Sequence, residues 1–428
     1  MHFIKSPLRA NFKNQKVMFS RKKYLDKLIA HKHNHQIKVV TGIRRSGKSY
    51  LLFNIFYKHL IDSGVAEDHI IKIDLEDRRN KSLRDPDTLL SYIDNCISDN
   101  EMYYILLDEV QLVDEFEDVL NSYLKVTNAD VYVTGSNSRF LSKDIITNFR
   151  GRGDEIHIYP LSIKEICEVQ TDLSWQQAWE AYLHYGGLPF CVLLPSNNEK
   201  VEYLKRLFSE TYLKDIKERY DVINDLAMEQ LLDIISSSIG SLTNPQKLEN
   251  SFLSLGKIRL SAPTIKQYLN YFEDAFLIHR SDRYDIKGKK YISTPYKYYF
   301  TDMGLRNARL NFRQIEETHI MENIIYNELL LRGYSVDVGV VIDRRNGGYV
   351  QKEVDFVVNH GDRKLYIQSA FQMGTEQKEA AELDSLKLTG DFFKKIVIRM
   401  DIPHNFYDDN GIFHCNLIDF LLERVELF

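Results

Sequence analysis

The chain has 428 residues, of which 44% are hydrophobic and 27% are charged, and its formal net charge is −5. This length excludes one ordinary domain and indicates about two to four, and the apolar content excludes a disordered chain. The mildly acidic balance excludes a protein that binds polyanions over its whole surface. Charge is nevertheless uneven, because residues 1–48 carry thirteen Lys or Arg against one acid, Asp26. This basic end either contacts phosphate groups or forms a solvated arm.

The chain contains four cysteines, and none of them belongs to a CxxC pair. Their spacing predicts neither a zinc site nor a disulfide framework, so we expect reduced thiols in a cytoplasmic protein. The sequence has no uninterrupted apolar run of about 18 residues and therefore predicts no membrane span. The basic N-terminus also lacks the apolar segment of a secretory signal.

The first informative stretch is GIRRSGKS, residues 42–49, which matches the pattern G-x-x-x-x-G-K-[ST]. The preceding IKVV predicts a buried strand, and the apolar run that follows predicts a helix. Gly42 and Gly47 permit the backbone turns, while the loop amides and the helix N-terminus favour a bound phosphate. Lys48 is expected to reach the β- and γ-phosphates, and the Ser49 hydroxyl to ligate Mg²⁺. The predicted nucleotide-binding residues are Gly42, Ile43, Arg44, Arg45, Ser46, Gly47, Lys48, Ser49 and Tyr50.

A second apolar stretch, MYYILLDEVQ at residues 102–111, ends in two acids. Its uninterrupted apolar run predicts a strand of a parallel sheet that is covered on both faces. Asp108 and Glu109 follow at the carboxyl end of this strand, where open α/β sheets bind ligands. We expect Asp108 to hold Mg²⁺ through water and Glu109 to polarise the attacking water. Without the upstream P-loop, the same pair would indicate only the end of a strand.

Two further sites have alternative interpretations. The strand DVYVTGSNS places Ser136 or Asn137 beside the γ-phosphate as a sensor of nucleotide state, and an ordinary turn after a strand also fits these residues. In FRGRGDEIHIYPLS, Arg150 and Arg152 could neutralise γ-phosphate charge, either in this chain or from a neighbouring subunit. A structural ion pair with an adjacent acid also explains the two arginines. The catalytic candidates are Lys48, Glu109, Asn137 and Arg152.

Taken in order, GIRRSGKS, LLDEVQ, TGSNS and GRGDEIHIYPLS resemble a large prokaryotic group of AAA+-like P-loop ATPases. The resemblance continues through YLHYGGLP, ETYLKDIKERY, SAPTIKQYLNYFEDAFLI, YKYYFTDMGLRNA and MENIIYNELLLRGY, and it covers about residues 20 to 400. It implies that the nucleotide is ATP. It also implies an α/β AAA+-type core with a parallel sheet, a winged-helix element and a C-terminal domain resembling restriction endonucleases.

Four parts are therefore expected along the chain. They are a P-loop ATPase core at residues 18–160, a helical lid or bridge at 161–235, a winged-helix-like unit at 236–295, and an α/β endonuclease-like domain without catalysis at 296–428. In the third part, Ser261 caps a helix whose apolar face contains Ile265, Leu269 and Phe272. This helix either reads DNA or packs against protein. The lysines of the following DIKGKKY turn, Lys287, Lys289 and Lys290, could contact phosphate.

The last part lacks a complete set of nuclease residues. The resemblance implies a metal held by an Asp on one strand and a Glu-x-Lys on the next, often with a Glu from the preceding helix. Asp355 fits the first position, and Glu322 or Glu328 fits the helix. Gln368 and Ala370 replace the acid and the lysine. Glutamine is a weak ligand for a hard cation and alanine cannot activate water, so we expect a non-catalytic remnant.

The leading hypothesis is an ATPase that couples Mg²⁺-dependent ATP binding and hydrolysis to rearrangement of its C-terminal domains. The alternative is a nucleotide-gated switch that binds DNA or a partner protein with negligible turnover. A metal-dependent nuclease is the least favoured hypothesis. The expected cofactors are ATP and Mg²⁺, the expected partners are DNA or another protein, and an oligomer is compatible with an arginine supplied by a neighbouring subunit.

Overall fold

The computed structural model describes residues 19–135, 151–255, 260–343, 349–374 and 376–428, and two β-sheets organise them. The N-terminal sheet has five strands and the C-terminal sheet has eight. A group of helices lies between the two sheets along the chain. No helix in these described ranges has both the length and the apolar surface that crossing a membrane requires.

The N-terminal sheet contains β1 (Ile37–Thr41), β2 (Ile70–Asp74), β3 (Tyr103–Asp108), β4 (Ala129–Thr134) and β5 (Gly153–His157). These strands lie in the order β2-β3-β4-β1-β5, and every pairing is parallel. All residues of β1 and β3 are buried, as their unbroken apolar runs predict for a sheet covered on both faces. The predicted α/β class with a parallel sheet is confirmed, and the carboxyl ends of β1, β3 and β4 meet at one edge.

Helices cover both faces of this sheet. They are α1 (Lys22–Ala30), α2 (48–62), α3 (Pro86–Cys96) and α4 (Phe116–Tyr123). One apolar cluster joins α1 and α2 to one face, and a second joins α3 and α4 to the other. Helix α2 runs without interruption through Lys48–Tyr50, the π-helical turns Leu51–Phe56 and Tyr57–Asp62. Short 3₁₀ turns lie at Glu67–His69, Arg78–Arg84 and Val110–Leu112.

The middle of the chain is helical, as the sequence predicts for its lid. The helices are α5 (Ile163–Val169), α6 (Trp175–Tyr185), α7 (Pro189–Leu193), α8 (197–220), α9 (Asp225–Ser237), α10 (Pro245–Leu255) and α11 (Ala262–Asp274). Ser162, Ser174 and Ser196 each form a capping box that fixes the start of a helix. Helix α8 consists of Asn197–Leu207, the π-helical turns Phe208–Leu213 and Lys214–Tyr220.

Helix α11 has the predicted amphipathic arrangement. Ser261 caps its first turn, and Ile265, Leu269 and Phe272 are buried. Lys266 on the opposite face is exposed. The apolar spacing of this helix therefore predicted its buried face correctly.

The C-terminal sheet contains β6 (Ile278–Asp285), β7 (Lys290–Phe300), β8 (Ser335–Asp343), β9 (Val350–His360), β10 (Arg363–Ala370), β11 (Lys394–Arg399), β12 (Phe406–Tyr407) and β13 (Phe413–Asn416). Its order is β12-β13-β11-β10-β9-β8-β6-β7, with parallel and antiparallel pairings. Helices α12 (Met303–Arg309), α13 (Glu317–Leu331), α14 (Glu376–Lys387) and α15 (Leu417–Leu421) accompany it.

The hairpin expected to be the wing of a separate unit belongs to this large sheet. Strand β6 pairs with β7 on one side and with β8 on the other. The boundary expected at residue 295 therefore falls inside β7, at the register shift between the Ser281–Lys297 and Arg283–Ile292 pairs. Alternating residues alone cannot reveal this arrangement, because they do not specify which strand a hairpin joins.

One large apolar cluster connects the helices to the C-terminal sheet. It begins at Ile43, in the loop after β1, and extends through α6, α8, α9 and α11 to Leu427. The helical middle region and the second sheet thus share a core. This continuity brings residues of the C-terminal half close to the loop that follows β1.

Candidate functional site

The loop between β1 and α2 has a backbone that its glycines make possible. Gly42 has φ 136° and Gly47 has φ 98°, both in the region that side chains rarely adopt. A Cβ atom at Gly42 would lie 2.2 Å from the carbonyl oxygen of Ile158, so this position has no room for a side chain. Arg45 also has a positive φ, of 68°. The loop therefore forms the tight turn that the P-loop pattern predicts.

Lys48 lies in the interior of this loop. Its Nζ donates hydrogen bonds to the carbonyl oxygens of Gly42 and Ile43, at 2.9 and 3.2 Å. Burial lowers the pKa of Lys48 to about 8, although Glu109 and Asp108 oppose this effect. The buried Oγ of Ser46 has no hydrogen-bond partner in the described part of the chain. A cation and an unsatisfied hydroxyl within a cradle of backbone amides suit a phosphate group.

Asp108 and Ser49 meet at the edge of the sheet. The carboxylate of Asp108 accepts a hydrogen bond from the hydroxyl of Thr134, and the hydroxyl of Ser49 lies close enough to favour the ionised carboxylate. Burial raises the pKa of Asp108 to about 6, which the two hydroxyls counteract. The hydroxyl and the carboxylate are oxygen ligands of the kind that Mg²⁺ prefers. Their contact fits the magnesium site that the sequence predicts at these two residues.

Glu109 follows Asp108 with a left-handed backbone, φ 52°. Its backbone N–H donates to Thr134 Oγ1 at 3.0 Å, and its carboxylate accepts from the side-chain amide of Gln111. Thr134, at the end of β4, therefore bonds both acidic positions at the end of the adjacent strand β3. The sequence reasoning missed Thr134, because only the pairing of β3 with β4 brings it to Asp108.

Helix α8 contacts the P-loop from the other side. The guanidinium of Arg44 pairs with Asp215 and lies 3.6 Å from the carboxylate of Glu76. The hydroxyl of Tyr212 donates to the carbonyl oxygen of Arg44 at 2.6 Å. Asp215 and Tyr212 were not predicted, because they are more than a hundred positions from the P-loop in the sequence. Helix α8 is thus bonded to the loop through both the side chain and the backbone of Arg44.

A cleft of 340 Å³ opens over the P-loop. Its polar wall contains Arg44, Arg45, Gly47, Lys48, Ser49, Glu76 and Glu109. Its apolar wall contains Phe19, Tyr50, Pro189, Phe190 and Leu193. One wall therefore suits phosphate oxygens, and the other suits a flat apolar group. Eight of the nine predicted nucleotide-binding residues either line this cleft or, in the case of Gly42 and Ile43, accept a hydrogen bond from Lys48. 

The ninth, Ser46, is buried inside the loop.

Two of the four predicted catalytic residues, Lys48 and Glu109, line this cleft. Asn137 lies outside the described residues, as do Ser136 and Arg150. Arg152 immediately precedes β5, and its carbonyl oxygen accepts a hydrogen bond from the backbone N–H of Ile37 at 3.0 Å. Because β5 and β1 are parallel, this contact places Arg152 at the amino end of β1, while the P-loop follows the carboxyl end. Within one chain, the structure therefore does not bring Arg152 to the P-loop.

The C-terminal residues that were compared with nuclease positions form a buried charged cluster. Lys297 Nζ lies 2.9 Å from Glu322 Oε1 and 2.5 Å from Glu353 Oε1. Asp355 is buried beside them, and burial together with Glu322 raises its pKa well above the ordinary value. The other helix candidate, Glu328, instead pairs with Arg332 at 2.8 Å.

The two departures from the nuclease pattern have visible roles in the sheet. Gln368 Oε1 accepts the backbone N–H of Asp355, and its Nε2 donates to Glu382, each at 3.3 Å. Ala370 is buried and contributes no polar group. Across the described ranges, no group of three or more His, Cys, Asp or Glu side chains is arranged to hold a metal ion.

Comparison with known proteins identifies relatives over most of the chain. A Haemophilus influenzae protein described as uncharacterized is 33% identical over 416 residues, which are 95% of this chain and 100% of that protein. The uncharacterized protein MJ1544 of Methanocaldococcus jannaschii is 30% identical over 361 residues, or 81% of this chain and 77% of that protein. The chain belongs to their family. Family members from a bacterium and an archaeon thus share nearly the whole length of this protein.

Two family models match separate parts of the sequence. One, described as an AAA domain, matches residues 34–167 and includes the P-loop and all five strands of the N-terminal sheet. The other, a domain of unknown function, matches residues 176–316. The first match supports an AAA+ P-loop protein, as the sequence motifs predict. The second match runs across the boundaries that the sequence analysis placed at residues 235 and 295.

Solved structures give a weaker likeness. The Aeropyrum pernix ORC1 protein in complex with DNA is 12% identical and has a TM-score of 0.29, covering 69% of this chain and 94% of that chain. AMPPCP-bound DnaA from Aquifex aeolicus is 13% identical and has a TM-score of 0.31, covering 59% and 87%. Scores this low do not establish a shared fold, and we infer nothing from them.

Proposed function

We propose that this protein binds and hydrolyses ATP with Mg²⁺, and that the lid transmits the state of the nucleotide to the C-terminal sheet. The observation that carries the proposal is the contact between the Ser49 hydroxyl and the Asp108 carboxylate, directly beside the buried Lys48. A P-loop lysine, a hydroxyl and a carboxylate at the end of β3, which β4 separates from β1, form the set required for a magnesium-bound triphosphate.

Each residue of the set has a separate task. The Lys48 ammonium would exchange the carbonyl oxygens of Gly42 and Ile43 for phosphate oxygens, and the hydroxyl of Ser46 would gain a partner. Ser49 and Asp108 would hold Mg²⁺, which when bound neutralises charge on the phosphate oxygens. Glu109 would orient the attacking water and accept its proton.

The decisive experiment compares two lysine variants. Lys48→Ala removes the buried phosphate-binding cation, whereas Lys58→Ala removes an exposed lysine of the same helix. We expect Mg²⁺-dependent phosphate release to fall to background in Lys48→Ala and to stay at the wild-type rate in Lys58→Ala. Wild-type turnover by folded Lys48→Ala would reject the proposal.

A variant of Glu109 separates binding from chemistry. Glu109→Gln keeps the size of the side chain but removes the base, so ATP should remain bound while hydrolysis falls by about 10²- to 10⁴-fold. The measurement is single-turnover hydrolysis together with titration of a fluorescent ATP analogue. Loss of binding in parallel with hydrolysis would instead assign Glu109 to the binding of the nucleotide.

A nucleotide-gated switch with negligible turnover is the second candidate function. The bonds from Asp215 and Tyr212 to Arg44 favour it, because they connect the P-loop directly to the lid. A DNA mobility-shift assay at low salt, with Mg²⁺ and either ATP or ADP, tests the DNA-binding form of this switch. A shift that depends on the nucleotide and weakens with salt supports DNA as the partner, and no shift rejects DNA.

A further inference from the structure

Three apolar residues of the cleft lining, Pro189, Phe190 and Leu193, belong to the segment that follows helix α6. Pro189 and Phe190 line the cleft, and Phe190 is 55% exposed. The Pro189 ring lies 3.8 Å from the point where a Cβ atom of Gly47 would be, so the segment approaches the P-loop closely. The position of this segment therefore determines how wide the cleft is above the P-loop.

A single carboxylate, which belongs to the C-terminal half of the chain, holds this segment in place. Asp302, between β7 and α12, accepts the backbone N–H of Gly187 at 2.7 Å and that of Leu305 at 3.1 Å. The backbone N–H groups of Leu188 and Gly304 also bond it. Four backbone donors from two distant segments thus converge on one buried side chain, which joins the cleft wall to the start of α12.

The glycines around Asp302 are required by this close approach. A Cβ atom at Gly186, where φ is 68°, would lie 2.2 Å from Asp302 Oδ1. A Cβ atom at Gly304 would lie 2.2 Å from the carbonyl oxygen of Tyr185. These contacts explain two sequence motifs, GGLP and TDMGL, that nucleotide chemistry alone leaves unexplained.

A second contact secures the end of α6. The side-chain amide of Asn307 donates to the carbonyl oxygens of Leu183 and His184, at 2.9 and 3.0 Å. Asn307 is fully buried on α12. The wall of the cleft is therefore bonded to α12 both through its backbone N–H groups and through the carbonyl groups just before it.

We infer that Asp302 is a positioning residue for the nucleotide, which fixes Pro189 and Phe190 against the P-loop although it does not line the cleft itself. The inference rests on the proposed function. It means that nucleotide affinity depends on the C-terminal half of the chain. A change in the position of α12 would move the cleft wall, and nucleotide binding would in turn affect α12.

The test replaces Asp302 in the full-length protein. Asp302→Asn keeps the shape of the side chain but directs an amide donor toward backbone donors, so the segment loses part of its anchor. We expect the Kd and KM for Mg²⁺–ATP to rise about tenfold, while kcat at saturation changes less than about twofold. The matched control is Asp285→Asn, because Asp285 bonds the backbone N–H of Gly288 in the exposed β6–β7 turn. This control should keep the wild-type Kd.

Two measurements keep the result interpretable. Asn307→Ala removes only the second contact and should raise Kd in the same direction by a smaller factor. Amide hydrogen exchange should accelerate at Gly187 and Leu188 in folded Asp302→Asn. An unchanged KM in folded Asp302→Asn, or a fall in kcat alone, would overturn the inference. The proposed function would still stand in that case, provided that the wild-type protein binds nucleotide. Failure of the wild-type protein to bind nucleotide would reject both.

Discussion

Asp108 lies buried at the end of β3, and in the proposed function its carboxylate would exchange the hydroxyls of Ser49 and Thr134 for Mg²⁺. Its pKa of about 6 means that a proton competes with the cation near neutral pH. We expect Mg²⁺-dependent nucleotide affinity to be complete above about pH 7 and to fall as the pH decreases through about 6. Calorimetric titrations across this range measure it, and titrations with EDTA provide the magnesium-free control. Affinity that does not change with pH would contradict this assignment of Asp108.

Substitution of Thr134 should shift the pH at which nucleotide affinity is lost. Its hydroxyl bonds the ionised carboxylate, so Thr134→Val should raise the pKa of Asp108 further and move the loss of affinity to higher pH. Without ligand, the effect of Asp108 on the free energy of unfolding changes with pH in the opposite direction to its effect on nucleotide affinity. Because the folded pKa is above the ordinary value of 3.8, this contribution to the free energy of unfolding is present below about pH 4 and is lost as the pH rises through about 6.

At the scale of elements, the lid helix α8 and the P-loop are joined by the hydroxyl of Tyr212. This hydroxyl is buried with its ring and donates to the carbonyl oxygen of Arg44 at 2.6 Å. Tyr212→Phe removes the hydrogen bond and little else, at a cost of about 0.5 to 1.5 kcal/mol. We expect the Kd for Mg²⁺–ATP to rise by roughly two- to tenfold.

Tyr57→Phe is the matched control for this substitution. The hydroxyl of Tyr57 bonds Glu67 at 2.8 Å on the exposed side of α2, away from the cleft lining. Fluorescence titration of the two variants compares them directly. Equal affinities would show that the contact between lid and loop does not contribute to nucleotide binding.

The elements of the N-terminal part could be predicted because their signals are local. Unbroken apolar runs identified β1 and β3, and the glycine pattern identified the loop between β1 and α2. The order of the strands has no local signal. Arg152 was therefore expected at the nucleotide, although the pairing of β5 with β1 puts it at the opposite end of the sheet. For the same reason Thr134 was missed, since only the adjacency of β3 and β4 brings it to Asp108.

Contacts between distant parts of the chain were beyond sequence reasoning. Asp215 meets Arg44 across 171 positions, and Asp302 meets Gly187 across 115. Single-sequence patterns describe which face of an element is buried but not which element covers it. The motif around Asp302 was recognised as part of a family resemblance, and its physical role became visible only when its four backbone partners were located.

At the scale of the whole molecule, one apolar cluster runs from Ile43 in the P-loop to Leu427 near the end of the chain. The helical region and the C-terminal sheet share this core, so neither can move far without exposing apolar surface of the other. Movements driven by nucleotide should therefore be small shifts of packed helices. This arrangement suits the transmission of a signal from the cleft, through α8 and α12, to the second sheet.

The charged cluster of the second sheet contains buried carboxylates that share one buried cation. Lys297 has a side chain only 3% exposed, and it pairs with both Glu322 and Glu353. Although burial opposes a charge there, Glu322 and Asp355 raise the pKa of Lys297, so the ammonium stays ionised. The ammonium thus provides the positive charge that these carboxylates require.

Lys297→Met keeps the length of the side chain but leaves the buried carboxylates without a counter-charge. We expect it to lower the free energy of unfolding by about 3 to 5 kcal/mol at neutral pH, and by less in acid, where the carboxylates take up protons. Denaturant unfolding measures this loss. Lys352→Met is the control, because Lys352 pairs with Asp384 while its side chain is 32% exposed, and its removal should cost about 1 kcal/mol or less. Equal losses of unfolding free energy in the two variants would mean that packing, and not the charge of Lys297, stabilises the cluster. Removal of a charge that the fold requires must cost more at a buried site, because water cannot replace the lost interaction there.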